Sequence, residues 1–263
     1  MKARGWDKQV VLYLADEPFD SDPRIIAQLK ALADMVHEVD PAIPTYVSTW
    51  RYIPAWDGCI DIWGIGHYGT VLPEEMAQMR AKGARLRFTT DGQMCIDTPY
   101  LAVERLLPHY CFKYGVEGYE FWGISWLVTY NPYQFGWFPY IHQSDQPGVS
   151  YYVRYPNGDG FLAYPGGLIG CGQPVSSIRL EQAREGAEDY EYLYLLRDLV
   201  AEATAAGAST GAVEAALRAA DELVAIPNAG GKYSTQILPD PSAILTVREK
   251  VAAAIESLSA PAK

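Results

Sequence analysis

The chain has 263 residues, 49% of them hydrophobic and 20% charged, which is enough apolar surface for one large globular domain and too much for a disordered chain. Its net charge of −11 excludes nucleic acid and anionic membrane as main partners, because an acidic surface repels both; it suits a neutral ligand. Aromatic residues make up 13%, with 19 tyrosines and 7 tryptophans, a balance that favours rings placed partly at wetted surfaces.

Residues 1–9, MKARGWDKQ, lack the apolar core of a signal peptide, and no window is apolar enough to span a bilayer. Residues 9–15, QVVLYLA, form a continuous apolar run, the pattern of a strand buried on both faces. Asp22 and Pro23 then predict a helix start, an N-cap followed by proline at the first helical position. Ile25, Ile26, Leu29, Leu32 and Met35 recur at helical spacing. TYVST (45–49) and CIDIWGIG (59–66) read as the second and third strands, the third ending at Gly64, Gly66 and His67. Residues 73–83 read as a helix stopped by Gly83, and 84–90 as a fourth strand. Residues 99–115 predict a helix kinked or broken before Pro108. A fifth strand covers 116–126. The aromatic stretch that follows is too long for an ordinary connection. GFLAYPG (160–166) carries a sixth, short strand. A long helix spans 176–207, capped by Ser176 or Ser177, and two more follow at about 211–225 and 241–258. Asp240 and Pro241 open the last with the same device as Asp22 and Pro23.

Strands alternating with helices predict an α/β fold, either a (β/α)8 TIM-type barrel or an open doubly wound sheet. No GxGxxG opens a helix after a strand and no GxxxxGK[ST] is present, so the usual nucleotide fingerprints are missing. Asp16 and Glu17, His67, Asp91 and Trp126 all follow strand ends, which is where a barrel carries its active site. Five or six strands are legible against the eight of a closed barrel. The expected architecture is therefore an incomplete barrel lacking its N-terminal strands over residues 1–207, with a helical tail, 208–263, packed on it.

Asp16 and Glu17 stand side by side where the first strand stops. Neighbouring strand residues point to opposite faces, but alternation fails at a strand end, and Pro18 pushes Glu17 into extended backbone. Both carboxylates can then face one cleft, the arrangement of glycoside hydrolysis, in which one acid is raised beside an ionised partner. Alternatively the two acids serve only to cap the following helix, as Asp20 and Asp22 can. None of the cysteines, Cys59, Cys95, Cys111 and Cys171, lies in a CxxC pair, and they read as free buried thiols. With four histidines and no HxH or HExxH, no metal site is expected, and no cofactor.

YLADEP (13–18), GDGFLAYPG (158–166) and SSIRLEQAREGAEDYEYLYLL (176–196) occur together in this order. Together they resemble the catalytic region of glycoside hydrolase family 123 and the related domain-of-unknown-function family 4091, over roughly residues 9–258. The resemblance implies a (β/α)8 barrel that hydrolyses β-linked N-acetylhexosaminides, notably N-acetylgalactosaminides, with retention and assistance from the substrate's own acetamide. It implies that Asp16 orients the acetamide and that Glu17 is the general acid/base. For a full-length member it implies a secreted or periplasmic setting. The pattern departs from the family at RFTTDGQ (87–93), where Arg87 and Asp91 stand near the position of a frequent Trp-Tyr pair.

Other candidates for sugar binding are Trp122, Trp126 and Tyr130, whose rings can stack on a pyranose or simply pack a core. His67 can bond a sugar hydroxyl or serve structure. Asp159 is explained by turn chemistry in NGDG and is a plausible ligand by resemblance. Arg179, near a helix start, can face the cleft, although its neighbours Glu181, Arg184, Glu185 and Glu188 read as i,i+4 charge pairs. The expected partner is a carbohydrate; the oligomeric state is not legible. The alternative to an active hydrolase is a non-catalytic glycan-binding relative or an inactive barrel fragment.

Overall fold

The computed structural model describes residues 2–6, 9–66, 69–90, 102–121, 123–125, 142–143, 152–153, 160–226, 240 and 242–259. Its centre is a five-stranded sheet in plain chain order: β1 (Leu12–Asp16), β2 (Thr45–Thr49), β3 (Ile62–Gly66), β4 (Arg85–Thr90) and β5 (Tyr119–Phe121). The first four pair in parallel. β5 joins β4 where Glu117 N donates to Leu86 O and Phe88 N to Gly118 O. Helices α1 (Pro23–Val39), α2 (Pro73–Ala81) and α3 (Ala102–Tyr114) form the crossovers after β1, β3 and β4. The order never reverses among the described strands, so this sheet has no switch point of the doubly wound kind.

Alternation along the strands separates two faces. Val47, Trp63, Ile65, Leu86 and Phe88 share one face and are buried, as are Leu29 and Ala33 of α1 and Met76 and Met79 of α2. The Trp56 indole donates to Ile26 O at 3.2 Å and ties a short 3-10 turn to α1. The other face carries Tyr46, Ser48, Gly64, Arg87 and Thr89, with Glu120 of β5. There the Tyr46 hydroxyl donates to Glu120 across β3 and β4. Three interstrand spacings amount to about 14 Å on a flat sheet, so the two side chains meet because the sheet curls toward this face.

β1 differs from its expected double burial. Leu12 is 38% and Tyr13 48% exposed, because β1 is an edge strand with a described neighbour on one side only. It also carries a bulge. Tyr13 pairs with Tyr46, but Ala15 pairs with Val47 and Asp16 with Ser48, so Leu14 is one residue too many. The extra residue inverts the alternation and brings Tyr13 and Asp16 to the same face.

The helix signals behave as physics dictates. Asp22 accepts from Arg24 N at 2.9 Å with Pro23 following, Asp240 accepts from Ser242 N at 2.9 Å, and Ser177 accepts from Leu180 N at 3.3 Å. Gly83, at φ 90°, lets the chain turn out of α2. Two expectations are corrected. Helix α3 is continuous through Pro108, so it is not broken there. The short sixth strand does not join the parallel sheet: β8 (Ala163–Tyr164) pairs antiparallel with β9 (Val175–Ser176), and Phe161 bridges antiparallel to Ser125. Pro165 ends β8 after two residues. Another two-residue pair, β6 (His142–Gln143) with β7 (Tyr152–Val153), is also antiparallel. Of the cysteines, Cys59 and Cys111 are buried, but Cys171 is exposed; Cys95 lies outside the described residues.

The chain packs as two compact units, one of Met1–Thr89, Tyr114–Glu120 and Ile226–Lys232, the other of Thr90–Lys113, Phe121–Ala225 and Tyr233–Lys263. The first holds almost all of the curled sheet. The second is built on α4 (Ile178–Ala205), against which α5 (Gly211–Glu222) and α6 (Ser242–Ser259) pack. Its interior holds an ionic network. Arg105 of α3 donates to Asp189 of α4 at 2.7 Å, and Arg248 of α6 lies 3.2 Å from the same carboxylate. Burial pulls the Asp189 carboxyl up, but His109 and Arg105 outweigh it and leave the group below its usual value. Gly186 permits this approach, since a Cβ there would stand 2.6 Å from Arg105 O. No helix among the described residues is long and apolar enough to cross a membrane.

Candidate active site

The curled face ends in carboxylates. Asp16 and Glu17 are both exposed at the C-terminal end of β1. The Glu17 amide donates to Ser48 O at 3.1 Å, which carries the β1–β2 ladder one residue past the strand. At Glu17 the backbone turns to φ 42°, left-handed and not the extended conformation expected before Pro18, and among the described residues no other non-glycine has a positive φ. A left-handed glutamate costs about 1–2 kcal/mol, and such outliers gather where function imposes them. This turn is the structural answer to two adjacent acids: the chain leaves strand geometry between them.

Asp16 is held by hydroxyls. Its Oδ1 accepts from Ser48 Oγ at 2.7 Å and from the Tyr13 hydroxyl at 2.9 Å, and those two hydroxyl oxygens lie 2.6 Å apart. Burial raises the Tyr13 phenol above its ordinary value, the Ser48 bond opposes that rise and the Asp16 carboxylate adds to it, so Tyr13 stays protonated and remains a donor. Among the described residues, both of these bonds fall on one carboxylate oxygen, Oδ1.

Behind this trio lies Tyr46. Its ring packs on Tyr13 with centroids 4.9 Å apart, and its hydroxyl contacts Thr89 Oγ1 at 3.3 Å besides donating to Glu120. Burial first, and then the Glu120 bond, hold Tyr46 well above the ordinary phenol value. Gly64 makes room for it, since a Cβ there would sit 2.1 Å from the Tyr46 hydroxyl. The Arg87 guanidinium carbon lies 6.0 Å from the centre of the same ring. The inward layer of the sheet is thus filled by tyrosine rings, as barrel interiors are filled by side chains, and carboxylates stand at its rim.

Arg179 belongs to the second unit. It is 1% exposed, and its guanidinium donates to Phe161 O at 2.6 Å and to the Tyr164 hydroxyl at 2.7 Å. His67, Asp91, Trp122, Trp126, Tyr130 and Asp159 lie outside the described residues. Among the described residues no group of three or more His, Cys, Asp or Glu could hold a metal ion.

Sequence reasoning passed over Tyr13, Ser48, Tyr46 and Glu120. A signal for three of them was present: TYVST alternates, so Tyr46 and Ser48 share a face, and Glu120 stands between aromatic residues in the fifth strand. Tyr13 had no such signal, because only the bulge at Leu14 turns it toward Asp16.

The family model "Glycoside hydrolase 123, catalytic domain" matches residues 1–196. Among solved structures, the chain is similar to a family 123 glycoside hydrolase from Clostridium perfringens described in connection with glycolipid glycan hydrolysis. The two are 17% identical with a TM-score of 0.53, and the likeness covers 98% of this chain and 42% of that one. The chain therefore spans less than half the length of that relative. No curated protein matches it.

Proposed function

Since the chain belongs to glycoside hydrolase family 123, matching its catalytic domain over residues 1–196, we propose that it forms the Asp-Glu half of a retaining, substrate-assisted β-N-acetylhexosaminidase site in a (β/α)8-type barrel, with N-acetylgalactosaminides favoured. The observation that carries this reading is the pair itself. Asp16 is pinned by one oxygen, and Glu17 is set off from it by a left-handed turn, both exposed at the end of β1.

In this mechanism the acetamide carbonyl oxygen attacks the anomeric carbon as the glycosidic bond breaks. Glu17 gives its proton to the departing oxygen. Asp16 accepts the acetamide N–H through Oδ2, which aligns the carbonyl and stabilises the positive charge that builds on the amide. Glu17, now a carboxylate, takes a proton from water; the water oxygen bonds to the anomeric carbon and the cyclised acetamide reopens. Two inversions give retention. Trp122, Trp126 and Tyr130 would supply stacking faces, and His67, Asp91 and Asp159 polar contacts, as their positions after strands and in the loop suggest. Arg179 is tied to Phe161 and Tyr164 within the second unit.

The test is hydrolysis of an aryl β-N-acetylgalactosaminide beside the plain aryl β-galactoside. Replacing acetamide by hydroxyl removes the nucleophile, and the expected loss in kcat/KM is at least about 100-fold, or about 2.7 kcal/mol. Equal rates on the two sugars would sink substrate assistance.

Tyr13 and Ser48 act in this reading as positioning residues for Asp16. Hydrogen bonds to a charged group contribute about 1.5–3 kcal/mol, so Ser48→Ala or Tyr13→Phe should lower kcat roughly tenfold or more while KM changes little. Ser48→Thr, which keeps the hydroxyl, should recover most of the rate. Loss of binding with kcat preserved would contradict the assignment.

A further inference from the structure

Arg87 is the unexplained charge of this face. Leu86 and Phe88 on either side of it are buried on the helix-covered side, so alternation turns Arg87 to the curled side. The strand register places it in one row with the site: Asp16 pairs with Ser48, Ser48 with Gly64, and Gly64 with Arg87. That row spans three interstrand spacings, about 14 Å along the sheet. The guanidinium leans back along it, over the Tyr46 ring at 6.0 Å, and Tyr46 in turn packs on Tyr13, which bonds Asp16.

Most other described arginines have an acceptor. Arg24, Arg51, Arg85, Arg105, Arg184 and Arg248 pair with carboxylates, as do Arg197 and Arg218. Arg80 and Arg179 donate to carbonyls. Among the described residues only the exposed Arg4 shares with Arg87 a contact to an aromatic ring alone. In a chain with 32 acidic residues against 21 basic ones, a half-buried arginine with no carboxylate partner among the described residues is a charge kept available. A guanidinium laid on a ring keeps its edge N–H groups free for a bidentate bond to an oxyanion. Neutral hydroxyls do not repay its desolvation as an anion does.

We propose that Arg87 binds an oxyanion carried by the glycan, a sulfate ester or a carboxylate, on the sugar held at Asp16 or on its immediate neighbour. This rests on the glycosidase reading for what occupies the row, and it makes Arg87 a determinant of specificity. One bound charge is compatible with an acidic protein, which would repel a polyanion but not a singly charged oligosaccharide.

The experiment is calorimetric binding to the full chain of N-acetylgalactosamine, its 6-sulfate, and the disaccharide in which glucuronic acid is β-linked to N-acetylgalactosamine. Wild type, Arg87→Ala and Arg87→Lys are compared at low and high salt. At least one charged ligand should bind wild type tenfold or more tighter than the neutral sugar, and which one does so identifies sulfate or carboxylate. That advantage should fall at least tenfold in Arg87→Ala, persist in part in Arg87→Lys and shrink with salt. Equal affinities in wild type, no binding of any of the three, or an advantage that survives Arg87→Ala would overturn the proposal. Hydrolysis of the aryl N-acetylgalactosaminide is measured in parallel. Turnover without charge preference removes only the role of Arg87, while an Arg87-dependent preference without turnover removes only the glycosidase reading.

Discussion

Glu17→Gln should lower kcat/KM on an alkyl or glycosyl β-N-acetylgalactosaminide by about 10³-fold, within the range of general acid–base catalysis. The same variant should lose far less on an aryl glycoside with a nitrophenolate leaving group, because that oxygen departs without a proton. Asp16→Asn should slow both substrates alike. Its task is to align the acetamide and balance the charge that forms on it, and that need does not depend on the leaving group. The backbone adds a second signature. Glu17 sits at φ 42°, where glycine is unstrained, so Glu17→Gly should raise stability by up to about 1 kcal/mol while removing the acid/base. A residue retained for structure would not give a variant that is both more stable and inactive. A Glu17→Gln enzyme equally impaired on good and poor leaving groups would remove the acid/base assignment, and an unimpaired one would move the site elsewhere.

Much of the secondary structure was legible because its signals are local. The strands at 45–49, 59–66 and 84–90 follow from apolar alternation bounded by turn residues, and the helix starts at Asp22, Ser177 and Asp240 follow from cap chemistry that acts within three residues. The position of Asp16 and Glu17 at a strand end needed only the point where the apolar run stops. What was not legible was set by register. QVVLYLA cannot announce that Leu14 is an extra residue, since that depends on what β2 offers at Tyr46 and Ser48. The same holds for Glu120, which reaches Tyr46 only because the sheet curls. The long SSIRLEQAREGAEDYEYLYLL motif is the most specific stretch in the chain, and its residues serve packing in this structure. Arg179 ties α4 to Phe161 and Tyr164, Gly186 admits α3, and Asp189 pairs with Arg105. Specific sequence and chemical sequence are different properties, and the carboxylates proposed for catalysis stand in the short YLADEP.

The buried carboxyl of Glu104 should make the stability of this protein fall as pH rises, and Glu104→Gln should remove that dependence. Glu104 is 1% exposed, and its Oε1 has no hydrogen-bond partner among the described residues. Burial raises its pKa from 4.5 to about 8, against the smaller opposing pull of its own backbone N–H and of Arg179. Below about pH 4.5 the group is protonated in both folded and unfolded chains, and it contributes no pH dependence. Between about 4.5 and 8 the unfolded chain has released the proton and the folded chain still holds it. The folded state then binds more protons, and stability declines with each step in pH. Above about 8 both states are ionised and the loss is complete. Each pH unit in that window costs about 1.4 kcal/mol, so the full decline is on the order of 5 kcal/mol, a large share of the 5–15 kcal/mol typical of a domain. Glutamine keeps the shape and the neutral hydrogen-bonding edge and has no proton to lose. Chemical denaturation of wild type and Glu104→Gln from pH 4.5 to 9 should therefore give curves that diverge as pH rises, with the variant the more stable by several kcal/mol at pH 8. The second unit, which contains Glu104, should open first in wild type under alkaline conditions, visible as amide exchange rising in α3 and α4 ahead of β2 and β3. Parallel curves for the two proteins would show that Glu104 is ionised in the folded state and that Arg179, not burial, governs it.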